Sequence, residues 1–280
     1  MAISFELIAK KEERINSLLL KEGFSSSNIF NLIKEQHVLV NDAVIKGRNY
    51  LVHEGDNVFI TLNDEINNLY ENDSPIDIVF EDEYILIVNK PYNLDVEPSL
   101  HTTYNNLASM ITYYFKVNSI KSKIHLVNRL DKLTSGLVIV AKNRYIKNRF
   151  SKVDIVKRYL CYVDGKTNEH EIIINRIEKD SLSDRRIVVN EGGKICKTEY
   201  RLLEYNDNKS LLEITLHTGR THQIRATMKS INHPLTNDPL YNDVVNGDMF
   251  LKAYYLKFTH PILGKEVEIR LWIKELFHYF

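Results

Sequence analysis

The chain has little of what an exported or membrane-anchored protein needs. Only two cysteines, Cys161 and Cys196, occur in 280 residues. They stand too far apart for a Cys-x-x-Cys pair and have no ligand cluster beside them. That excludes a disulfide framework and points to a reducing compartment. No window approaches the roughly 18 consecutive apolar residues of a membrane span. The start, Met1-Ala2-Ile3-Ser4-Phe5-Glu6, lacks the charged and apolar regions of a secretory signal. A cytoplasmic protein without a membrane partner is expected. Internal repeats and low-complexity tracts are missing as well. Net charge is zero, 37 basic against 37 acidic residues, so the total gives no guide to partners. What is present is 44% hydrophobic and 10% aromatic residues, enough for one large core and a small appended one.

Glycine and proline are scarce, ten and six residues, so each punctuates strongly. Lys11 to Lys21 has helical spacing (Ile15, Leu18, Leu19) and stops at Gly23. Ser25-Ser26-Ser27 offers N-caps for a second helix through Ile29, Phe30, Leu32 and Ile33. His37 to Val40, Asn41-Asp42 and Ala43 to Ile45 read as a hairpin, and Val52 to Ile60 as a turn and strand. A polar, acidic stretch follows. Beyond it, strands are predicted over Ile76–Val88, Gly136–Ala141, Tyr159–Val163, Glu199–Leu203 and Leu211–His217, with helices around Leu107–Lys116 and Thr221–Ile231. The mixture predicts an α+β fold with a large, mainly antiparallel mixed sheet. Three segments result: a small module at 1–62, a linker at 63–75 and the main domain at 76–280. Because the linker is polar, the part from about Ser74 onward is expected to fold alone.

The most informative words are Arg129-Leu130-Asp131-Lys132-Leu133-Thr134-Ser135-Gly136, running into Leu137-Val138-Ile139-Val140-Ala141. They set one carboxylate just ahead of a small-residue turn and an apolar strand, a rigid mount for a charged group. The segment resembles the catalytic motif of RluA-type pseudouridine synthases. Asp77 to Pro91 is similar to the strand-turn-strand opening that domain. Lys157 to Gly165 looks like the motif with the active-site tyrosine. Leu212 to Arg225, with Thr218-Gly219-Arg220-Thr221-His222-Gln223-Ile224-Arg225, looks like the third, and His233-Pro234 with Asp238-Pro239-Leu240-Tyr241 continues it. The first module resembles an S4-like RNA-binding domain in Leu32-Ile33-Lys34-Glu35, Val38-Leu39-Val40-Asn41 and Glu54-Gly55-Asp56.

The resemblance implies an isomerase that turns uridine into pseudouridine. The C1′–N1 bond breaks, the freed uracil turns, and it rejoins through C5. No redox change occurs and no group enters, so neither cofactor nor metal is expected. The resemblance makes Asp131 the essential carboxylate, pairs Arg225 with it, and has Tyr159 stack on the uracil and assist proton transfer at C5. Arg129 is expected to fill the gap left by the flipped nucleotide. Thr134, Arg220, His222 and Gln223 are expected to contact RNA.

Charge is unevenly spread. Residues 63–89 hold eight acidic residues and no basic one, whereas residue 90 onward holds thirty basic and twenty-one acidic. The run Lys142, Arg144, Lys147, Arg149, Lys152, Lys157 and Arg158 reads as a phosphate-contacting surface. The expected partner is structured RNA, ribosomal RNA ahead of tRNA, bound by a monomer. The alternatives are a tRNA synthase and a non-catalytic RNA-binding or ribosome-assembly factor. Five positions depart from the family pattern: Asn128 for His, Asn93 for Gly with Glu97 for His, Thr227 for His, and Asn237 for Gly. Asn at 93 can still take the left-handed turn geometry.

Overall fold

The computed structural model describes residues 3–99 and 102–272. The first unit contains β1 (Ser4–Ile8), β2 (Glu13–Arg14), α1 (Ile15–Lys21), α2 (Ser26–Lys34), β3 (Val38–Val40), β4 (Ala43–Val44), β5 (Leu51–Val52) and β6 (Asn57–Thr61). The expected helices and hairpin are there. Ser25 caps α2, accepting from Asn28 N. Asn41 and Asp42 turn the hairpin with φ of +47° and +65°, the left-handed pair that a two-residue hairpin turn requires. The first strand, β1, was not anticipated. It pairs along its whole length with β6, Ser4 opposite Thr61 through Ile8 opposite Asn57.

The second unit is α+β as expected. It comprises β7 (Ile78–Glu81), β8 (Ile85–Lys90), α3 (Leu107–Val117), β9 (His125–Leu126), β10 (Ser135–Ala141), α4 (Arg144–Arg149), β11 (Val156–Asp164), β12 (His170–Lys179), β13 (Arg186–Val189), β14 (Lys194–Asn206), β15 (Lys209–Leu216), α5 (Gln223–Ser230), β16 (Leu251–Thr259) and β17 (Glu266–Arg270). Eleven strands form one sheet with the main order β13-β12-β14-β15-β11-β16-β10-β8-β7. All its ladders are antiparallel except β10 with β16. The sheet's central strands are apolar on both faces: Leu137 to Ala141 on β10 are fully buried. Helix α3 covers one face with Leu107, Ile111 and Phe115 in the core that holds Tyr159.

The two units share an apolar core, contrary to the expectation of separable folding. Tyr145 of α4 stacks on Phe24 at 3.9 Å between ring centroids and on Phe5 at 5.1 Å. Residues 63–75 lie along the second unit instead of dangling. Asp64 pairs with Lys121 at 2.9 Å, Glu65 with His125 at 2.5 Å and Glu71 with Lys116 at 2.9 Å. Four of the seven basic residues in that run are likewise engaged by protein partners. Lys142 is buried and pairs with Glu81 at 2.7 Å, while Arg149 pairs with Glu22 at 2.6 Å and Lys152 donates to Lys21 O at 3.4 Å. Arg158 faces Glu213. The reading of this run as one phosphate-contacting face is therefore corrected. A helix that docks an acidic neighbour needs the same cations that a phosphate would.

Candidate active site

Asp131 sits in the turn that launches β10. Thr134 N donates to Asp131 O at 3.0 Å and closes that turn. Asn128, where a His was the family's usual residue, accepts from Ile139 N at 2.8 Å and donates to Leu137 O at 3.1 Å, stitching the turn to the strand it precedes. Gly136 has φ +110°, and a Cβ there would lie 2.2 Å from Ala253 O. Only glycine lets β16 come that close beside the Asp131 turn. The glycine of the Thr-Ser-Gly word is thus a packing requirement.

A group not singled out from the sequence holds the turn from below. Lys90 is fully buried, and its ammonium donates to Pro91 O (3.0 Å), Leu94 O (2.7 Å) and Lys132 O (3.1 Å). It ties the turn after β8 to the Asp131 turn. Burial pushes its pKa down to about 8, against the pull of Asp95 and Asp131. Asn93 in that first turn has φ +58°, the left-handed geometry expected of it. Glu97 pairs with Arg129 at 2.8 Å, both largely exposed.

Tyr159 lies on β11 opposite Ile214 and Ala253, at a register shift in the pairing with β16. Such shifts re-aim side chains. The ring is buried, and burial together with the charge of Asp131 pushes its phenol pKa up. The phenol therefore stays protonated at neutral pH and is a donor before substrate arrives.

Arg225 does not fork onto Asp131. Its Nε and Nη2 donate to Asp238 Oδ2 and Oδ1 at 2.7 and 2.6 Å, and both side chains are buried. The reason lies in chain geometry: Asp238 caps the turn after α5, accepting from Leu240 N and Tyr241 N, so it presents its oxygens to the helix. Arg225 reaches Asp131 through charge alone. His222 faces Asp131, with Nε2 3.8 Å from Oδ2. His222 has φ +54° at the start of α5, which brings its ring into the site. Arg186 N donates to Tyr241 Oη at 2.6 Å, so the Tyr241 proton is available for His222 Nδ1 at 3.1 Å. That leaves Nε2–H toward Asp131. Burial keeps the imidazole pKa below its usual value.

The eight residues singled out from the sequence all line one cavity of about 60 Å³: Asp131, Tyr159, Arg225, Arg129, Thr134, Arg220, His222 and Gln223. Two of them act from inside. Thr134 is buried. Gln223 is buried too, accepting from Thr218 Oγ1 and Arg220 N and donating to Thr198 Oγ1. Its amide holds the turn before α5 together. Thr227 accepts from Asn175 at 3.1 Å, and Asn237 adopts φ +60°. Leu216, Ile224 and Leu251 supply apolar walls; their ordinary strand and helix patterns carry no distinguishing signal. Among the described residues no three His, Cys, Asp or Glu side chains gather as a metal site.

A model described as RNA pseudouridylate synthase matches residues 84–230, just over half of the chain. The chain belongs to the RNA pseudouridine synthase family. The synthase is 32% identical over 257 residues to the uncharacterized RNA pseudouridine synthase YhcT of Bacillus subtilis (strain 168), covering 87% of this chain and 84% of that one. It is also 32% identical over 266 residues to the ribosomal large subunit pseudouridine synthase D of Escherichia coli (strain K12), covering 88% and 82%. In fold it is similar to human RNA pseudouridylate synthase domain containing 1, with a TM-score of 0.60 at 23% identity, over 72% of this chain and 84% of that one. The synthase is accordingly an isomerase, and a purely non-catalytic binding role is set aside. No helix among its described residues is long and apolar enough to cross a membrane.

Proposed function

We propose that the synthase isomerises uridines of ribosomal RNA, with Asp131 as its essential carboxylate, acting as a cytoplasmic monomer. The observation carrying this reading is the single carboxylate of Asp131 in a cavity walled by Tyr159, His222 and Arg225. Breaking C1′–N1 leaves C1′ electron-poor, and an anion beside it stabilises that state. Arg225, already satisfied by Asp238, sets its positive charge near Asp131 without capping its oxygens. The uracil leaves C1′ as the C1′–N1 bond breaks, turns against the Tyr159 ring and rejoins C1′ through C5; the proton lost from C5 is balanced by one gained at N1. Arg129 stands at the cavity's mouth, bound to Glu97, where it takes the place of the flipped nucleotide in the RNA stack.

The choice of ribosomal RNA is supported by the name of the Escherichia coli relative, a ribosomal large subunit pseudouridine synthase, and by the S4-like order of helices and hairpin in residues 1–62. The domain limits 1–62, 63–75 and 76–280 belong to the same proposal, with the middle stretch a strap. The deciding experiment maps pseudouridines in ribosomal RNA and tRNA of the source organism with and without the gene. A ribosomal site lost on deletion and restored by the wild-type gene supports the reading. A loss confined to tRNA overturns it in favour of a tRNA synthase.

A further inference from the structure

Beside the active site lies a second cavity of about 490 Å³, walled by β12, β13, the start of β14 and the turn before α5. Four cations line it, Lys179, Arg186, Lys194 and Arg220, against one carboxylate, Glu178. Arg220 also lines the Asp131 cavity, so the two openings share a wall.

Neither Lys194 nor Arg220 forms an ion pair among the described residues, and Lys179 has only the exposed Asp184 at 3.9 Å. Arg186 is the telling member. Its Nη1 is buried and has no hydrogen-bond partner. A buried charged donor without an acceptor is costly, and an anion with several oxygens removes that cost. The same residue's backbone N is tied to Tyr241 Oη, which is bonded to His222 beside Asp131. The β12–β13 hairpin is thus fixed relative to the catalytic carboxylate.

We propose that this cavity takes the backbone phosphodiester of a nucleotide flanking the target uridine, with Arg186 as the buried contact. The inference rests on the reading that an RNA strand enters the Asp131 cavity. The phosphate locks the strand one step from the flipped base, so Arg186 acts as a binding residue and not in the chemistry.

The test uses the full chain and a fluorescein-labelled dodecauridylate, comparing wild type, Arg186→Gln, Arg186→Lys and Asp131→Asn. In Arg186→Gln the slope of log affinity against log salt should fall by about 0.7, the value for one phosphate on a single strand, and affinity by roughly five- to tenfold. Arg186→Lys should keep the slope, because charge is retained. Asp131→Asn should bind as wild type does. Thermal unfolding of Arg186→Gln should match wild type, since the lost guanidinium has no protein acceptor at Nη1; if that variant misfolds, Lys194→Gln takes its place with the same expected loss of slope. An unchanged slope and affinity in Arg186→Gln would overturn the proposal. So would uridine 5′-monophosphate displacing the oligomer at equal concentration, which would assign the cavity to free nucleotide. Because these measurements need no turnover, a synthase that modifies no ribosomal RNA sinks the functional reading alone.

Discussion

Arg225 and Asp238 form a buried two-pronged ion pair, 2.7 and 2.6 Å long, that stands behind Asp131 without touching it. Removing one partner strands the other in a dry site, at a cost of about 3–5 kcal/mol. Arg225→Ala should lower the unfolding free energy by that amount and lose activity. Arg225→Lys should restore only part of either, because an ammonium cannot reproduce the fork. Chemical denaturation and a pseudouridine assay on each variant check this. A fully active, fully stable Lys variant would show that the fork is dispensable.

For Asp131 the expectation is separation of chemistry from folding. Asp131→Asn changes charge but little volume, so pseudouridine formation should vanish while thermal unfolding and RNA affinity stay near wild type. Activity above about a tenth of wild type, a loss of barely 1.4 kcal/mol in transition-state stabilisation, would exclude Asp131 as the essential carboxylate.

Lys90 yields a pH prediction. Its folded pKa, about 8, lies below the ordinary lysine value of 10.5. Between those values the unfolded chain binds the extra proton, so this group's contribution to stability rises with pH across the window. Below pH 8 both states are protonated and the cost of burying the charge, roughly 3 kcal/mol, is present in full. Carbon-13 NMR of labelled lysine should reveal one resonance titrating near 8 that is missing in Lys90→Met. If every lysine titrates above 10, the ammonium is better solvated than its position implies.

Tyr145 tests the union of the two units. Its stack on Phe24 and Phe5 makes Tyr145→Ala a large-to-small change in a shared core, with an expected loss of about 3–5 kcal/mol. The full chain should unfold in one transition, and a protein starting at Ser74 should melt earlier because Tyr145 and Ile146 become exposed. Two well-separated transitions in calorimetry of the wild type would contradict this.

Local rules were legible without coordinates wherever the chain specifies itself over a few residues. Ser25 caps α2, Asn41-Asp42 turns its hairpin, and Asn93 supplies a left-handed turn, because each depends on side chain and φ alone. The eight residues that the family resemblance singled out converge on one cavity. Tertiary structure decided the partners. Arg225 could pair with any nearby carboxylate, and only the turn after α5 puts Asp238 in reach. The basic run had no preference between phosphate and Glu22 or Glu81, because charge has no address until a neighbour is packed against it. Strands β1, β2, β9, β12, β13, β16 and β17 escaped notice for the same reason: pairing and burial set by distant segments, not local pattern, make them strands. Sequence thus fixed the chemical groups, and packing fixed which of them meet.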